Sequence, residues 1–191
     1  MNSYGTEALA FLVQIGFGLF LLAFLLRLLL QLLGADFYNP LSQLLVRMTH
    51  PVLRPIRRLL PAVGRVDTAS VIVLLILQSL EILILAALRG AVPNVPGLLV
   101  LAIGQLLALT ITIYYVLLLI RVVLSFMPAS GVGNPVIDIV YELTRPVLLP
   151  LQRVIPPTGM FDWSVLAAFV LLGLARILIV APLLDVGRAL A

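Results

Sequence analysis

Four long apolar segments constrain what this chain can fold into more than any other feature. They lie at about residues 8–33, 69–88, 98–124 and 163–184. An α-helix rises 1.5 Å per residue, so about twenty apolar residues are enough to cross the ~30 Å hydrocarbon core of a bilayer. We therefore predict an all-α polytopic membrane protein with four transmembrane helices.

The amino-acid composition indicates that the chain is surrounded by lipid and not by water. Hydrophobic residues make up 63% of the 191 residues and charged residues 10%, whereas soluble domains are about half apolar and about a quarter charged. Met1 to Glu7 contains no basic side chain, although a cleavable signal peptide begins with a basic region. We therefore expect the first apolar segment to stay attached as a span. Four spans place both termini on one side of the membrane.

Arginine is concentrated in two of the three loops. Five arginines lie between the first and second spans, and Arg145 and Arg153 lie between the third and fourth, whereas the opposite side carries only Arg89 and Arg188. Positive loops are retained on the cytoplasmic side, so we predict two cytoplasmic loops and two external termini. Basic side chains also bind anionic headgroups. The first-loop residues expected to do so are Arg47, Arg54, Arg57, Arg58 and Arg65.

The second half of the sequence repeats the first. Arg27 matches Arg121, and after one additional residue in the second copy the spacing between matched residues stays constant. The matched positions in the first copy are Arg27, Asn39, Pro40, Thr49, Pro51, Pro55, Arg58 and Asp67. Their counterparts are Arg121, Asn134, Pro135, Thr144, Pro146, Pro150, Arg153 and Asp162. Each copy contains two spans, so we predict two parallel tandem helix–loop–helix repeats, at residues 8–90 and 98–185.

Each of the two arginine-bearing loops has the signals of an amphipathic helix at the membrane surface. An Asn–Pro pair begins each segment, because Asn caps free N–H groups and Pro fits the first helical turn. Apolar residues then recur at three- and four-residue steps. Pro51 and Pro55 predict that the first helix ends or kinks near Thr49 and that a second short helix follows. The predicted interfacial segments are residues 40–60 and 135–155.

Charged residues also lie inside or next to the spans. Asp67 and Asp162 immediately precede the second and fourth spans, where a carboxylate caps free N–H groups. Arg27 lies about 9 Å from the cytoplasmic end of its span, close enough to extend toward the headgroups, and Arg121 is placed in the same way. We predict structural roles for all four residues.

Two further charges occupy equivalent depths in the second and fourth spans. Glu81 lies about 21 Å along its helix from Asp67, and Arg176 is its counterpart in the second copy. An unpaired charge at such a depth costs about 3 kcal/mol on insertion scales. We therefore predict that Glu81 and Arg176 form an intramembrane ion pair that holds the two copies together.

The sequence contains no motif that is typical of an enzyme. It has no cysteine and a single histidine, His50, and it lacks a phosphate-binding loop, a nucleophile elbow and a dinucleotide-binding glycine pattern. Its carboxylates do not cluster at metal-ligand spacing. We predict a non-enzymatic protein with no metal and no cofactor. The arginines flank membrane spans, so we do not expect nucleic acid as a partner.

Each arginine-bearing loop carries one copy of a longer motif. The first reads Asn39-Pro40 and then Thr49-x-Pro51-Val52-Leu53-x-Pro55-Ile56-Arg57-Arg58. The second reads Asn134-Pro135 and then Thr144-x-Pro146-Val147-Leu148-x-Pro150-Leu151-Gln152-Arg153. The paired motif resembles that of the YggT family of bacterial and plastid membrane proteins, over nearly the whole chain. The resemblance implies the double-repeat form of Gram-negative bacteria, located in the inner membrane. Gln152 departs from the first copy, which has Arg57 there.

The resemblance implies two classes of function. Similar plastid and Gram-positive proteins are connected with cytochrome assembly and with division or envelope organisation, and bacterial members with osmotic stress and potassium uptake. We expect a scaffold or assembly factor that binds anionic lipids and either a membrane-protein partner or a second copy of itself. The alternative is a small transport protein in which Arg27, Glu81, Arg121 and Arg176 line an ion path.

Overall fold

Helices make up nearly all of the described structure. A computed structural model describes residues 3–35, 38–59, 66–126, 134–155 and 162–191. The first copy contains α1 (Ser3–Leu33), α2 (Pro40–Leu59) and α3 (Thr68–Leu88). The second begins with α4 (Val95–Ser125) and α5 (Pro135–Val154). It ends with α6 (Trp163–Ala175), a π-helical turn (Arg176–Val180) and α7 (Ala181–Leu190), which together form one continuous helical rod.

Four helical stretches in the described ranges are long and apolar enough to cross a membrane. They are Tyr4–Leu33, Thr68–Leu88, Val95–Ser125 and Trp163–Leu190. Each predicted span lies inside one of these stretches, so the predicted all-α polytopic membrane fold is confirmed. The fourth stretch passes through Pro182, which lies in the first turn of α7. The π-helical turn before it accommodates the proline, which lacks an N–H group and crowds the preceding turn.

The two copies pack against each other along the spans and at one end of them. α3 lies between α1 and α4, and α4 lies between α3 and the last span. α2 packs against α1 and α3, while α5 packs against α4 and α6 and also reaches α1 and α2. The largest cluster of buried side chains therefore draws on both copies, with Phe24, Leu53 and Leu143 almost fully enclosed. Both interfacial helices lie at the same end of the bundle.

α2 and α5 each continue as one helix through two prolines. Pro51 and Pro55 lie inside α2, and Pro146 and Pro150 lie inside α5. The prediction allowed an end or a kink near Thr49, and the end, with a second short helix after it, is wrong because α2 continues to Leu59. All four prolines are on the exposed side of their helices, where the carbonyl groups that lose a helical partner are accessible to water or headgroups. Packing of the opposite face against the bundle keeps each helix continuous.

Candidate functional site

Arg27 of α1 is held by α2 instead of extending toward the headgroups. Its side chain is 6% exposed, and Nη1 donates to Thr49 Oγ1 at 2.5 Å and to the Val46 carbonyl at 3.4 Å. The Thr49 hydroxyl in turn donates to the Leu45 carbonyl at 2.6 Å. The predicted extension of Arg27 into the headgroup layer is therefore wrong. The arginine attaches the interfacial helix to the first span.

A buried ion pair lies next to Arg27. Asp67 has no exposed side-chain surface and accepts hydrogen bonds from the Arg57 guanidinium, in part from Nε at 3.1 Å, and from the Ser70 hydroxyl at 2.5 Å. Arg57 also donates to Gln31 Oε1 at 3.3 Å. Burial raises the pKa of Asp67, but the hydrogen bonds from Arg57 and Ser70 and the charge of Arg57 outweigh it and hold this pKa below its ordinary value. The ion pair therefore joins α2 to the start of α3 within the first copy.

These contacts correct two predictions. Arg57 was expected to face lipid headgroups, yet its guanidinium turns inward to Asp67 and Gln31. Asp67 occupies the N-cap position of α3, but its carboxylate makes no capping hydrogen bond. Arg57 and the Ser70 hydroxyl both bond Oδ2, and the buried Oδ1 has no partner among the described residues.

The second copy has the same plan with different partners. Arg121 Nη1 donates to Thr144 Oγ1 at 2.7 Å, and its guanidinium lies 4.5 Å from the centre of the Tyr141 ring. Asp162 caps α6 as predicted, since it accepts from the Ser164 backbone N–H at 3.0 Å and from the Ser164 hydroxyl. Gln152 Nε2 donates to the other carboxylate oxygen at 2.9 Å. Where the first copy has an ion pair, the second has a neutral amide.

The pKa of Asp162 is set by the same opposing effects of burial and hydrogen bonding as that of Asp67. Burial raises this pKa, but hydrogen bonds from Ser164 and Gln152, together with the charge of Arg121, lower it below its ordinary value. Asp162 is therefore ionised at neutral pH. An open cleft of about 360 Å³ lies beside it, between the ends of α4 and α6, and Arg121 and Tyr141 contribute to its wall.

The two Asn–Pro pairs begin helices as predicted, and the first has an additional contact. Asn39 Oδ1 accepts from the Leu41 N–H and Asn134 Oδ1 accepts from the Val136 N–H, each at 3.0 Å. Asn39 Nδ2 also donates to the Pro135 carbonyl of the second copy at 2.7 Å. Pro40 and Pro135 are the first residues of their helices. Asn39 therefore ties α2 to α5, a role that its position in the sequence did not reveal.

The outer surface of α2 has two rows of exposed side chains. Arg47, Arg54 and Arg58, which we call the arginine row, are exposed, and none of them forms an ion pair with a described residue. Beside them lies an apolar row formed by Leu44, Met48 and Val52. Val52 lines an apolar groove together with residues of α1, so this row is on the side of the spans. On α5, Arg153 is likewise exposed. Arg65 lies outside the described residues.

Glu81 and Arg176 are not brought together. Arg176 is exposed and belongs to the last span, which packs on α4, and the ion pairs of the described residues are Arg57–Asp67 and Arg188–Asp185. Glu81 instead accepts from Gln78 Nε2 at 2.7 Å. The predicted pair would need the last span next to α3. α4 lies between them instead, so Glu81 and Arg176 do not meet.

A polar cluster inside the membrane takes the place of that ion pair. Gln78 is 3% exposed, and its amide donates both to Glu81 and to Gln105 Oε1 of α4 at 2.7 Å. The cluster joins α3 to α4 across the boundary between the copies. Gln78 precedes Glu81 by three residues, which places both on one helix face. This spacing was the available signal for the cluster, but the partner Gln105 depends on the packing of α3 against α4.

Comparison with known proteins finds one matching family model and several bacterial relatives. A family model described as CCB3/YggT matches it twice, at residues 6–88 and 100–183. An uncharacterized protein of Vibrio alginolyticus is 37% identical over 174 residues, which cover 90% of this chain and 93% of that protein. An uncharacterized protein of Pseudomonas aeruginosa is 36% identical over 184 residues, covering 94% and 91%.

The same comparison identifies an Escherichia coli relative. The uncharacterized protein YggT of strain K12 is 32% identical over 167 residues, which cover 87% of this chain and 86% of that protein. No solved structure matches the chain.

Proposed function

The chain belongs to the CCB3/YggT family, and on that premise we propose that it is a non-enzymatic scaffold or assembly factor of the bacterial inner membrane. In this proposal α2 fixes the protein to anionic headgroups of the cytoplasmic leaflet, and the surface of α5 receives a membrane-protein partner. The arginine row of α2 is the observation that supports the proposal most strongly.

The geometry of α2 suits a lipid surface. Its buried face, which includes Thr49 and Leu53, packs on the bundle. Its apolar row is on the side of the spans, and the arginine row lies next to it, at the depth of the headgroups. Each basic side chain near an anionic surface contributes about 1 kcal/mol, so the three exposed arginines contribute about 3 kcal/mol together. Lys or Arg on the polar face of an interfacial helix is typical of this binding mode.

The surface of α5 differs from that of α2 because it carries acidic as well as basic side chains. Asp138 is exposed and Glu142 is half-buried, so they oppose the positive charge of Arg145 and Arg153. An anionic leaflet repels carboxylates, which favours a protein partner over lipid on this helix. The two interfacial helices therefore divide lipid binding and partner binding between them in this proposal.

Replacing the arginine row by glutamine is expected to weaken the response to anionic lipid. Wild-type protein should melt at a higher temperature in nanodiscs that contain phosphatidylglycerol than in phosphatidylcholine alone. In the triple variant Arg47→Gln, Arg54→Gln, Arg58→Gln this difference should fall by at least about half, because three charges near the surface are lost. The control Arg89→Gln, at the other end of α3, should keep most of the difference. An unchanged difference in the triple variant contradicts the lipid part of the proposal.

Photo-crosslinking in cells tests whether a protein partner binds to α5. A photoreactive residue in place of Asp138 on α5 should give a reproducible protein crosslink that mass spectrometry identifies. The same residue in place of Leu119, which is 58% exposed on the α4 span, should not. A failure to capture any protein at position 138, or identical products at both positions, contradicts a scaffold that acts through α5.

The cluster of Gln78, Glu81 and Gln105 favours one alternative function. A carboxylate inside a membrane span is a typical feature of an ion pathway, and bacterial members of the family are connected with potassium uptake. Potassium flux into proteoliposomes separates the two functions. A scaffold gives no flux above that of empty liposomes, whereas flux that is abolished in Glu81→Gln favours transport.

A further inference from the structure

The cleft in the second copy combines two opposite charges with an apolar wall. Its volume is about 360 Å³. Arg121 and Asp162 contribute the charged groups, and Val122, Leu166 and Phe169 of the two spans form apolar wall. Arg121 lies four residues, or about 6 Å, from the end of α4, and Asp162 immediately precedes α6. The charged part of the cleft is therefore at the depth of the headgroups, while the apolar part extends toward the acyl chains.

Two side chains beside the cleft are shorter than their counterparts in the first copy. In the first copy Arg57 reaches both Asp67 and Gln31 and so links the end of α1 to the start of α3. The equivalent positions in the second copy are Gln152 and Ser125. The Ser125 hydroxyl turns back to the Val122 carbonyl at 2.6 Å, and Gln152 reaches Asp162 alone. Among the described residues, the link that Arg57 makes in the first copy thus has no counterpart between Gln152 and Ser125 in the second.

The charges in the cleft are arranged to receive both an anion and a cation. The guanidinium of Arg121 is fixed by Thr144 and by the ring of Tyr141, and its planar fork of five N–H donors suits a phosphate group. No ion pair joins Arg121 to Asp162 within the described part of the chain. The Asp162 carboxylate has about four acceptor positions and accepts three hydrogen bonds, from the Ser164 N–H and hydroxyl and from Gln152, so one position is left for an ammonium group.

We propose that this cleft binds the headgroup of a membrane phospholipid that carries both a phosphate and a primary ammonium group. The phosphate binds Arg121, the ammonium donates to Asp162, and an acyl chain follows Leu166 and Phe169. Phosphatidylethanolamine has this chemistry. Phosphatidylcholine has no N–H donor for Asp162, and phosphatidylglycerol has no cation to oppose the carboxylate. The site goes beyond the proposed function, because it lies in the other copy and selects a zwitterion instead of net negative charge.

Two variants of the full-length protein distinguish this site from ordinary lipid contact. Gln152→Arg restores the side chain of the first copy, so it should pair with Asp162 and close the cleft without loss of stability. Asp162→Asn removes the negative charge that attracts the ammonium group but keeps the helix cap, because Asn caps as well as Asp. The exposed neighbour Arg153 does not line the cleft, so Arg153→Gln is a matched control.

Native mass spectrometry of protein released from nanodiscs with equal amounts of the three phospholipids measures lipid retention. We expect wild-type protein and Arg153→Gln to retain phosphatidylethanolamine about tenfold over phosphatidylcholine, which corresponds to about 1.4 kcal/mol. Gln152→Arg should lose the bound lipid. Asp162→Asn should retain the two lipids equally, and this result decides the question even if Gln152→Arg fails to fold.

Three outcomes would overturn the proposal. Equal retention of all three lipids by wild-type protein means that only non-specific annular lipid binds. Unchanged selectivity in a folded Gln152→Arg or in Asp162→Asn means that the cleft is not the site. Displacement of the lipid by saturating inorganic phosphate means that a free phosphate, and not a phospholipid, is the ligand of Arg121.

Discussion

Asp67→Asn is expected to lower the free energy of unfolding of the detergent-solubilised protein by about 2 to 3 kcal/mol at neutral pH. Removing one partner of a buried ion pair typically costs 3–5 kcal/mol, because the other charge stays behind uncompensated. The Arg57 side chain is 35% exposed, so water recovers part of that cost. Arg27 adds to the penalty, since its buried guanidinium lies in the same polar region. Unfolding in a denaturing detergent, followed by circular dichroism, measures the change.

A second ion pair provides the matched control. Arg188 and Asp185 lie 2.8 Å apart on α7, with side chains that are 67% and 71% exposed. Exposed pairs contribute about 0–1 kcal/mol, so Asp185→Asn should change the free energy of unfolding by less than about 0.5 kcal/mol. Equal effects of Asp67→Asn and Asp185→Asn would show that the Arg57–Asp67 pair does not support the fold.

The effect of Asp67→Asn should depend on pH in one direction. The folded pKa of Asp67 is below its unfolded value, so ionisation of this carboxylate favours the folded state. This contribution is fully present above about pH 4, the ordinary value for aspartate. It is lost as the pH falls through the lower folded pKa. The difference in stability between wild-type protein and Asp67→Asn should therefore shrink in acid, and a difference that grew in acid would contradict this assignment.

Asn39→Ala is expected to lower the free energy of unfolding by about 2 kcal/mol. An N-cap residue contributes about 1 kcal/mol, and a hydrogen bond such as the one from Asn39 to the Pro135 carbonyl contributes about 1 kcal/mol more. Asn134→Ala is the matched control in the second copy, because Asn134 caps its helix at an exposed position. It should cost about 1 kcal/mol. Equal losses in the two variants would contradict a role for Asn39 in joining the copies.

The sequence was sufficient for the architecture because the bilayer imposes it. Membrane thickness fixes the length of a span, and in a span every backbone polar group must be satisfied within the helix. Four apolar segments therefore predicted four helices, and the repeated motif predicted the family. The capping roles of Asn134 and Asp162 followed from local backbone geometry, which adjacent residues determine.

The misplaced residues all depend on which helices are neighbours. Arg57 looks like a lipid-facing arginine on a helical wheel, but the burial of Asp67 beside α2 turns it inward. Glu81 and Arg176 are equivalent by sequence, yet α4 stands next to α3 and supplies Gln105 instead. The prolines of α2 do not end the helix, because packing of its buried face offsets the lost hydrogen bonds. Tertiary contacts between helices decided each case, and the repeat pattern contains no information about them.

Sidedness of the two interfacial helices is the most direct test of the whole account. The chain has no cysteine, so single cysteines can be introduced at the equivalent exposed positions Arg54→Cys and Leu149→Cys, and at Ala91→Cys between α3 and α4. Membrane-impermeant maleimide should label positions 54 and 149 only in inside-out vesicles, and position 91 only in intact spheroplasts. Labelling of positions 54 and 149 from opposite faces of the membrane would contradict a parallel duplication with both interfacial helices on the cytoplasmic leaflet.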